Sequence, residues 1–263
     1  VELSYLSFEG LDRLGFPPII STGERVEIWI KPDVESGLVR VPLHELRAGG
    51  REEFAPVRSF HKHNGFQQGR HIFHHVHSLG VSVFCESRVE AARLRELDFF
   101  GVLRTVWGQP MKVVLRGPGR TRRLVPDFWY VRKDGTCVLE NVRAPDRRDD
   151  TFWEQSNALD EVAQLVGWEY SVAGESDEEH GQVLELLNAF ATLTPRADVV
   201  QAVKGAFRDS VQLTFRELAQ RCAGRDLVAL AHLYALMWRR VLLFDLSQGL
   251  HSETLLRMGV ERT

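Results

Sequence analysis

Two carboxylates, an amide and a guanidinium lie at spacings that one helix and one hairpin can gather. Pro126-Asp127 precedes a turn at Lys133-Asp134-Gly135, and Asn141-Val142-Arg143 follows it, so the two segments read as neighbouring strands. Strand alternation puts Asn141 and Arg143 on one face and Glu140 on the other. Folding the hairpin brings Asp127 opposite Asn141 and Arg143, and Glu90, on a helix over 87–97, can cover that patch. Hard oxygen ligands of this kind suit Mg²⁺ or Mn²⁺. Such an ion lowers the pKa of water and neutralises charge building on a phosphoryl group, and a fixed cation adds to that stabilisation. Arg143 cannot be a general base, because a guanidinium stays protonated at any working pH. Phosphodiester hydrolysis is the chemistry this set can serve. The same spacing also fits a surface hairpin with an Asp turn and an exposed Arg. Glu90 likewise has a second role open to it, since it stands three residues after Ser87, the capping-box spacing that ties a glutamate to its helix end.

The elements that must position these residues follow from periodicity. Glu24 to Ile30 alternates with Val26, Ile28 and Ile30 on one face, and Gly37 to Pro42 makes a second strand of a hairpin over 24–46. A polar, loop-like stretch covers 47–70, and 71–85 reads as two short strands around Ser78-Leu79-Gly80. The segment 87–172 then predicts helix 87–97, strands near 102–107 and 111–116, a returning strand over 121–130, a strand over 137–143, a helix over 150–166 and a last strand from Gly167 to Val172. After an acidic linker over 174–181 come helices near 182–192, 195–208, 214–221 and 226–240, then two short strands. Helix, turn, helix, wing is a winged-helix pattern, though any small helical cap produces the same signal. The fold class expected is α/β in three regions: a β-rich 1–80, an α/β core over 81–176 and a winged-helix-like 177–263.

Composition narrows the class. At 44% hydrophobic and 26% charged, the 263 residues exclude disorder, collagen and coiled coil as the main state. No apolar run approaches the roughly 18 residues that cross a bilayer, and no basic stretch followed by an apolar one opens the chain, so neither a membrane partner nor a signal peptide is expected. Cys85, Cys137 and Cys222 are odd in number, far apart and in no CxxC pair, which points to a reducing cytoplasm.

The net charge of -3 hides an asymmetry: from Lys112 to Arg148 there are ten Lys/Arg against four Asp/Glu. Arg116, Arg120, Arg122 and Arg123 crowd one hairpin just before Asp127, a natural clamp for a phosphate backbone or else a solvated turn. Six of the ten histidines lie between His61 and His77, but without a Cys or a second ligand cluster a closed zinc site is not expected. Glu154 and Gln155 open the helix after Arg143 and can add to the site or cap the helix. Leu227 to Trp238 is too apolar to read base edges and suits a core or a docking face, with burial on more than one side.

Taken in order, a set of short motifs resembles TnsA-like transposase endonuclease subunits. They are Pro56 to Phe60, Arg70-His71, Glu86 to Leu94, Leu97-Asp98-Phe99, Gln109-Pro110, Val125 to Phe128, Asp134-Gly135, Asn141 to Arg147, Gly167 to Tyr170, Trp238-Arg239-Arg240 and Asp245-Leu246-Ser247. The resemblance spans the fifties to the late 240s. It implies a restriction-endonuclease-like PD-(D/E)xK core followed by a winged-helix-like domain. The activity it implies is metal-dependent cleavage of double-stranded DNA at transposon ends, with Mg²⁺ or Mn²⁺ as cofactor. An integrase-like transposase is the implied partner, and an ATPase regulator a further candidate. By position, Glu90, Asp127 and Asn141 fall on its metal ligands and Arg143 on its usual lysine. Arg70 and His71 become candidates for contact with DNA, beside the arginines of 116–123. Two departures matter. Asn141 offers a neutral carbonyl where a carboxylate is usual, and Arg143 lacks the compact ammonium. Both weaken catalysis, so a catalytically weak or silent DNA- or transposase-binding adaptor on the same fold stands as the alternative, with a stand-alone defence or repair nuclease as a third.

Overall fold

The computed structural model describes residues 23–47, 55–58, 72–174, 177–222, 224 and 226–259. In chain order the elements are β1 (Arg25–Ile30), β2 (Val39–Val41), α1 (Leu43–Arg47), β3 (Ile72–Val76), β4 (Val81–Cys85), α2 (Arg88–Phe100), β5 (Leu103–Gly108), β6 (Met111–Gly117), β7 (Arg120–Leu124), β8 (Phe128–Arg132), β9 (Cys137–Val142), α3 (Asp150–Val166), β10 (Glu169–Ala173), α4 (Glu178–Asn188), α5 (Ala197–Ala206), β11 (Leu213–Thr214), α6 (Phe215–Cys222), α7 (Leu227–Trp238), β12 (Leu242–Leu243) and β13 (Leu255–Met258). The protein is mixed α/β. No helix among the described residues is long and apolar enough to cross a membrane.

The chain divides into two units, one of residues 1–97 and 101–175, the other of 98–100 and 176–263. In the first, one four-stranded sheet runs β2-β1-β6-β7 and a second runs β10-β9-β8-β5, with β3 and β4 paired apart. β1 and β2, which fall in the expected β-rich region 1–80, share a sheet with β6 and β7 of the expected core. β1 pairs with β6 over six residues, from Arg25 opposite Arg116 to Ile30 opposite Met111. That pairing is non-local and leaves no trace in either strand's own periodicity.

One apolar cluster holds this unit together. Ile28, Ile30, Met111 and Val113 of the first sheet meet Trp129, Val131 and Leu139 of the second, with Ala158, Leu159, Val162 and Ala163 of α3. The i, i+4 recurrence of those α3 residues is the buried stripe of an amphipathic helix. Asp149 caps the start of α3 by accepting from the Phe152 N–H at 2.7 Å, and Gly167 ends it at φ +78°, a left-handed turn open to glycine. Gly108 permits the close approach of β5 to β4, since a Cβ there would stand 2.4 Å from the Phe84 carbonyl oxygen.

The returning strand expected over 121–130 is two strands. Arg120–Leu124 pairs with β6, whereas Phe128–Arg132 pairs with β5 and β9 in the other sheet. Pro126 has no N–H to give a ladder, so the chain leaves one sheet at Val125-Pro126 and joins the other. This switch delivers Asp127 to the end of the β8–β9 pairing.

In the second unit, β11, β13 and β12 form an antiparallel three-stranded sheet in that order. Asp226 caps α7 by accepting from the Val228 N–H at 2.9 Å. From His232 to Trp238 every α7 residue but Tyr234 is buried, which meets the expectation of burial on more than one side; Leu227 and Val228, at 81% and 60% exposed, open the helix in solvent.

Candidate active site

The register of β8 and β9 decides what the hairpin can gather. Phe128 stands opposite Glu140, so Asp127 and Asn141 come next, where the ladder ends. The Asp127 N–H still donates to the Glu140 carbonyl at 3.1 Å, and the Asp127 carbonyl accepts from the Gln109 N–H at 2.7 Å. Its side chain then continues the pairing: Oδ2 accepts from the Val142 N–H at 2.7 Å. Asp127 is thus fixed by backbone on three sides.

Glu90 arrives from α2, and its two anticipated roles coexist. The Glu90 N–H donates to Ser87 Oγ at 3.2 Å, the Ser87 hydroxyl donates to Glu90 Oε1 at 2.7 Å, and the Glu86 N–H donates to Oε2 at 2.7 Å. Ser87 and Glu90 thus cap α2 at capping-box spacing, the carboxylate reaching one residue further back, to the Glu86 N–H. The same carboxylate, 5% exposed, lines a cleft of about 760 Å³ together with Asp127, Asn141 and Arg143. The structure therefore brings all four residues to one concavity.

Burial governs the charge state of the two acids. It pushes the Asp127 carboxyl up to about 8, and the neighbouring Glu90 carboxylate adds to the rise. Burial likewise raises Glu90, against the hydrogen bonds from Glu86 and Ser87 that favour its ionised form. Two desolvated acids side by side do not readily ionise together, so protons leave the pair in steps. A cation between them would relieve that cost.

Asn141 supplies the third oxygen. Its residue is 9% exposed, and its Oδ1 is buried with no hydrogen-bond partner. A buried carbonyl without a donor is costly and calls for an explanation. Among the described residues no three or more His, Cys, Asp or Glu side chains are grouped to hold a metal ion. The donor set here is two carboxylates and an amide.

The cleft is also lined by Arg58, Arg88 and Arg147, which the reading of the sequence did not single out as site residues. Arg58 pairs with Glu86. Arg143 gives its Nε to the Arg147 carbonyl at 3.2 Å and pairs with no carboxylate among the described residues. For Arg147 the signal was present in Asn141 to Arg147, which ends in a short 3₁₀ turn at Pro145–Arg147, but a strand-and-turn reading does not say which way such a turn folds; Arg58 and Arg88 come from other segments. Gln155 lines the cleft as well, whereas Glu154 turns to Arg120, at 2.7 Å, and Arg122, at 3.1 Å.

The hairpin arginines are elsewhere. Arg116, Arg120, Arg122 and Arg123 lie outside the cleft lining. Arg116 donates to Glu27 at 3.1 Å, Arg122 pairs with Glu24 and Glu154, and Arg120 reaches Glu154 and Glu24. Arg123 is exposed, and of the four it alone has no such pair among the described residues. Arg70 and His71 lie outside the described residues, as do His61 and His63. On β3, His74 is buried and His75 exposed, as alternation requires, and the His75 and His77 rings meet at 5.0 Å. Cys85, Cys137 and Cys222 form no disulfide. Neither a comparison with protein-family models nor one with curated proteins finds a match for the chain.

Proposed function

We propose that the protein is a metal-dependent DNA endonuclease, the TnsA-like cleaving subunit of a heteromeric transposase acting in the cytoplasm. On this reading residues 81–176 carry a restriction-endonuclease-like core, and 177–263 a winged-helix-like domain. The order α5, β11, α6, α7, β12, β13, with the last two strands antiparallel, supports the second assignment. The observation that carries the reading is the buried, unpartnered Asn141 Oδ1 in one cleft with the carboxyls of Asp127 and Glu90, both of which burial shifts toward the protonated form. An orphaned acceptor beside two acids that resist joint ionisation fits a hard divalent cation.

Asp127, Glu90 and Asn141 would hold Mg²⁺ or Mn²⁺, and the bound ion would supply acidified water and neutralise charge on the scissile phosphate. The chain's own contributions are distinct. Asp127, pinned by the Val142 N–H, presents its second oxygen at a fixed position. The Arg143 Nε–H is engaged by the Arg147 carbonyl, which orients a guanidinium that can then donate to a phosphate oxygen as negative charge develops. Arg88 and Arg147 add positive charge at the rim for a polyanionic strand. Double-stranded DNA, an integrase-like transposase and an ATPase regulator are the partners this reading names.

The test is nicking of supercoiled plasmid in Mg²⁺ or Mn²⁺, with and without the partner transposase, by the full chain and by Asp127→Ala. Metal-dependent nicking lost in the variant is expected. Nicking by Asp127→Ala at the parent rate removes this cleft from the chemistry. One observation favours the silent adaptor instead: both Glu90 oxygens already accept bonds from the start of α2. DNA or transposase binding without nicking in either metal is the result that selects it.

A further inference from the structure

Glu140 sits on the face of β9 opposite Asn141 and is fully buried, a place where an unpaired carboxylate would be very costly. It is not unpaired. Arg93 of α2, 2% exposed, grips it with two parallel bonds, Nε to Oε1 at 3.0 Å and Nη2 to Oε2 at 2.8 Å. The remaining Arg93 nitrogen, Nη1, donates to Glu96 at 2.7 Å. Glu140 Oε2 also accepts from the Tyr130 hydroxyl at 3.1 Å and from the Ser171 hydroxyl at 3.0 Å. One carboxylate thus joins α2, β8, β9 and β10.

These are the elements that carry the candidate site. Arg93 lies three residues after Glu90, on the same side of α2. Glu140 directly precedes Asn141 and stands opposite Phe128, the residue after Asp127. A planar guanidinium in bidentate contact with a carboxylate fixes distance and tilt together, which a point charge does not. Stability alone does not account for the device, because well-packed apolar residues commonly serve a core as well as a buried ion pair does or better.

We propose that Glu140 and Arg93 are positioning residues that set the separation of Glu90 on α2 from Asp127 and Asn141 on the β8–β9 hairpin. The inference rests on the nuclease reading, since it gives that separation a purpose: three oxygen donors kept on one cleft for a cation to share. Neither residue lines the cleft, so neither touches a metal ion or substrate.

The experiment is calorimetric titration of the full chain with Mn²⁺, alongside Tm in EDTA, for the parent, Arg93→Lys, Glu140→Gln and Val166→Ala. Arg93→Lys keeps the charge and loses the fork. Glu140→Gln keeps the shape and an oxygen for Tyr130 and Ser171. Val166→Ala is a core truncation at the far end of α3 that lowers Tm without altering the clasp. Both clasp variants should bind Mn²⁺ about 10–100-fold more weakly, and Val166→Ala should bind like the parent. Parent affinity in Arg93→Lys or Glu140→Gln makes the clasp a stabilising pair only and overturns the proposal. If one clasp variant fails to fold, the other still reads out. A parent chain that binds no Mn²⁺ overturns the nuclease reading and this inference with it, and differs from the first failure in that the parent itself is silent.

Discussion

Replacing Asp127 by asparagine tests the electrostatics of the cleft without any assumption about catalysis. The carboxyl titrates near 3.8 when free and near 8 in the folded protein. Between those values the folded chain holds a proton that the unfolded chain has released, so stability must fall as pH rises, and it must level off above about 8. At about 1.4 kcal/mol per pH unit the full effect would be some 5–6 kcal/mol, but Asp127 is only half-buried and water in the cleft screens part of it, leaving roughly 2–4 kcal/mol. For a unit of this size about 1 kcal/mol moves Tm by 2–4 °C. Scanning calorimetry in EDTA should therefore show Tm dropping by roughly 5–10 °C from pH 4.5 to pH 8.5. Asparagine can keep the bond from the Val142 N–H through its own Oδ1, so Asp127→Asn should fold and lose more than half of that slope. What remains belongs to Glu90, which burial also raises. A divalent ion favours the ionised acids and should flatten the parent's slope. A parent Tm independent of pH in EDTA, or an unchanged slope in Asp127→Asn, would refute the reasoning.

Two further outcomes follow from the same geometry. Asn141→Asp should lower Tm in EDTA at pH 7.5, because it adds a third acid to a pair that already resists ionising, and should raise Mg²⁺ affinity about tenfold; a variant unchanged in both places residue 141 away from the ion. In DNA binding, replacing Arg123 by Ala should flatten the log–log salt slope by about one unit, while adding Arg120→Ala and Arg122→Ala should flatten it little more, since Glu24 and Glu154 already engage those two. A loss of three units in the triple variant would show that DNA strips the arginines from their carboxylates.

Much of the candidate site was legible because its determinants are local. Period-two alternation and the turn at Asp134-Gly135 are enough to put Asp127 beside Asn141, and Ser87 with Glu90 marks the start of α2. Non-local pairing was not legible. Nothing in Arg25–Ile30 names Met111–Gly117 as its partner, and the sheet switch at Pro126 hides inside a run that alternates well enough to pass for one strand. The burial of Arg93 and Glu140 was not legible either, since it depends on a counter-charge 47 residues away. For the hairpin arginines the positive excess was legible, but not that Glu24, Glu27 and Glu154 come from distant parts of the chain to meet three of them.

The departure at position 141 gains a physical sense from these neighbours. A third carboxylate there would face Asp127, which already keeps its proton to about pH 8, and Glu90, which burial also holds back. Each added negative charge raises the cost of ionising the others, so a three-acid cleft would be stable only with its cation in place. An amide supplies an oxygen without that repulsion. It leaves one orphaned acceptor, Asn141 Oδ1, where a carboxylate would leave an unpaired buried charge, and the former is the smaller cost. On the proposed reading the amide would keep the cleft preformed without metal, at the cost of weaker binding to the ion. That balance predicts the opposite signs expected for Asn141→Asp in EDTA and in Mg²⁺, and only a residue in direct reach of both the acids and the ion produces both signs at once.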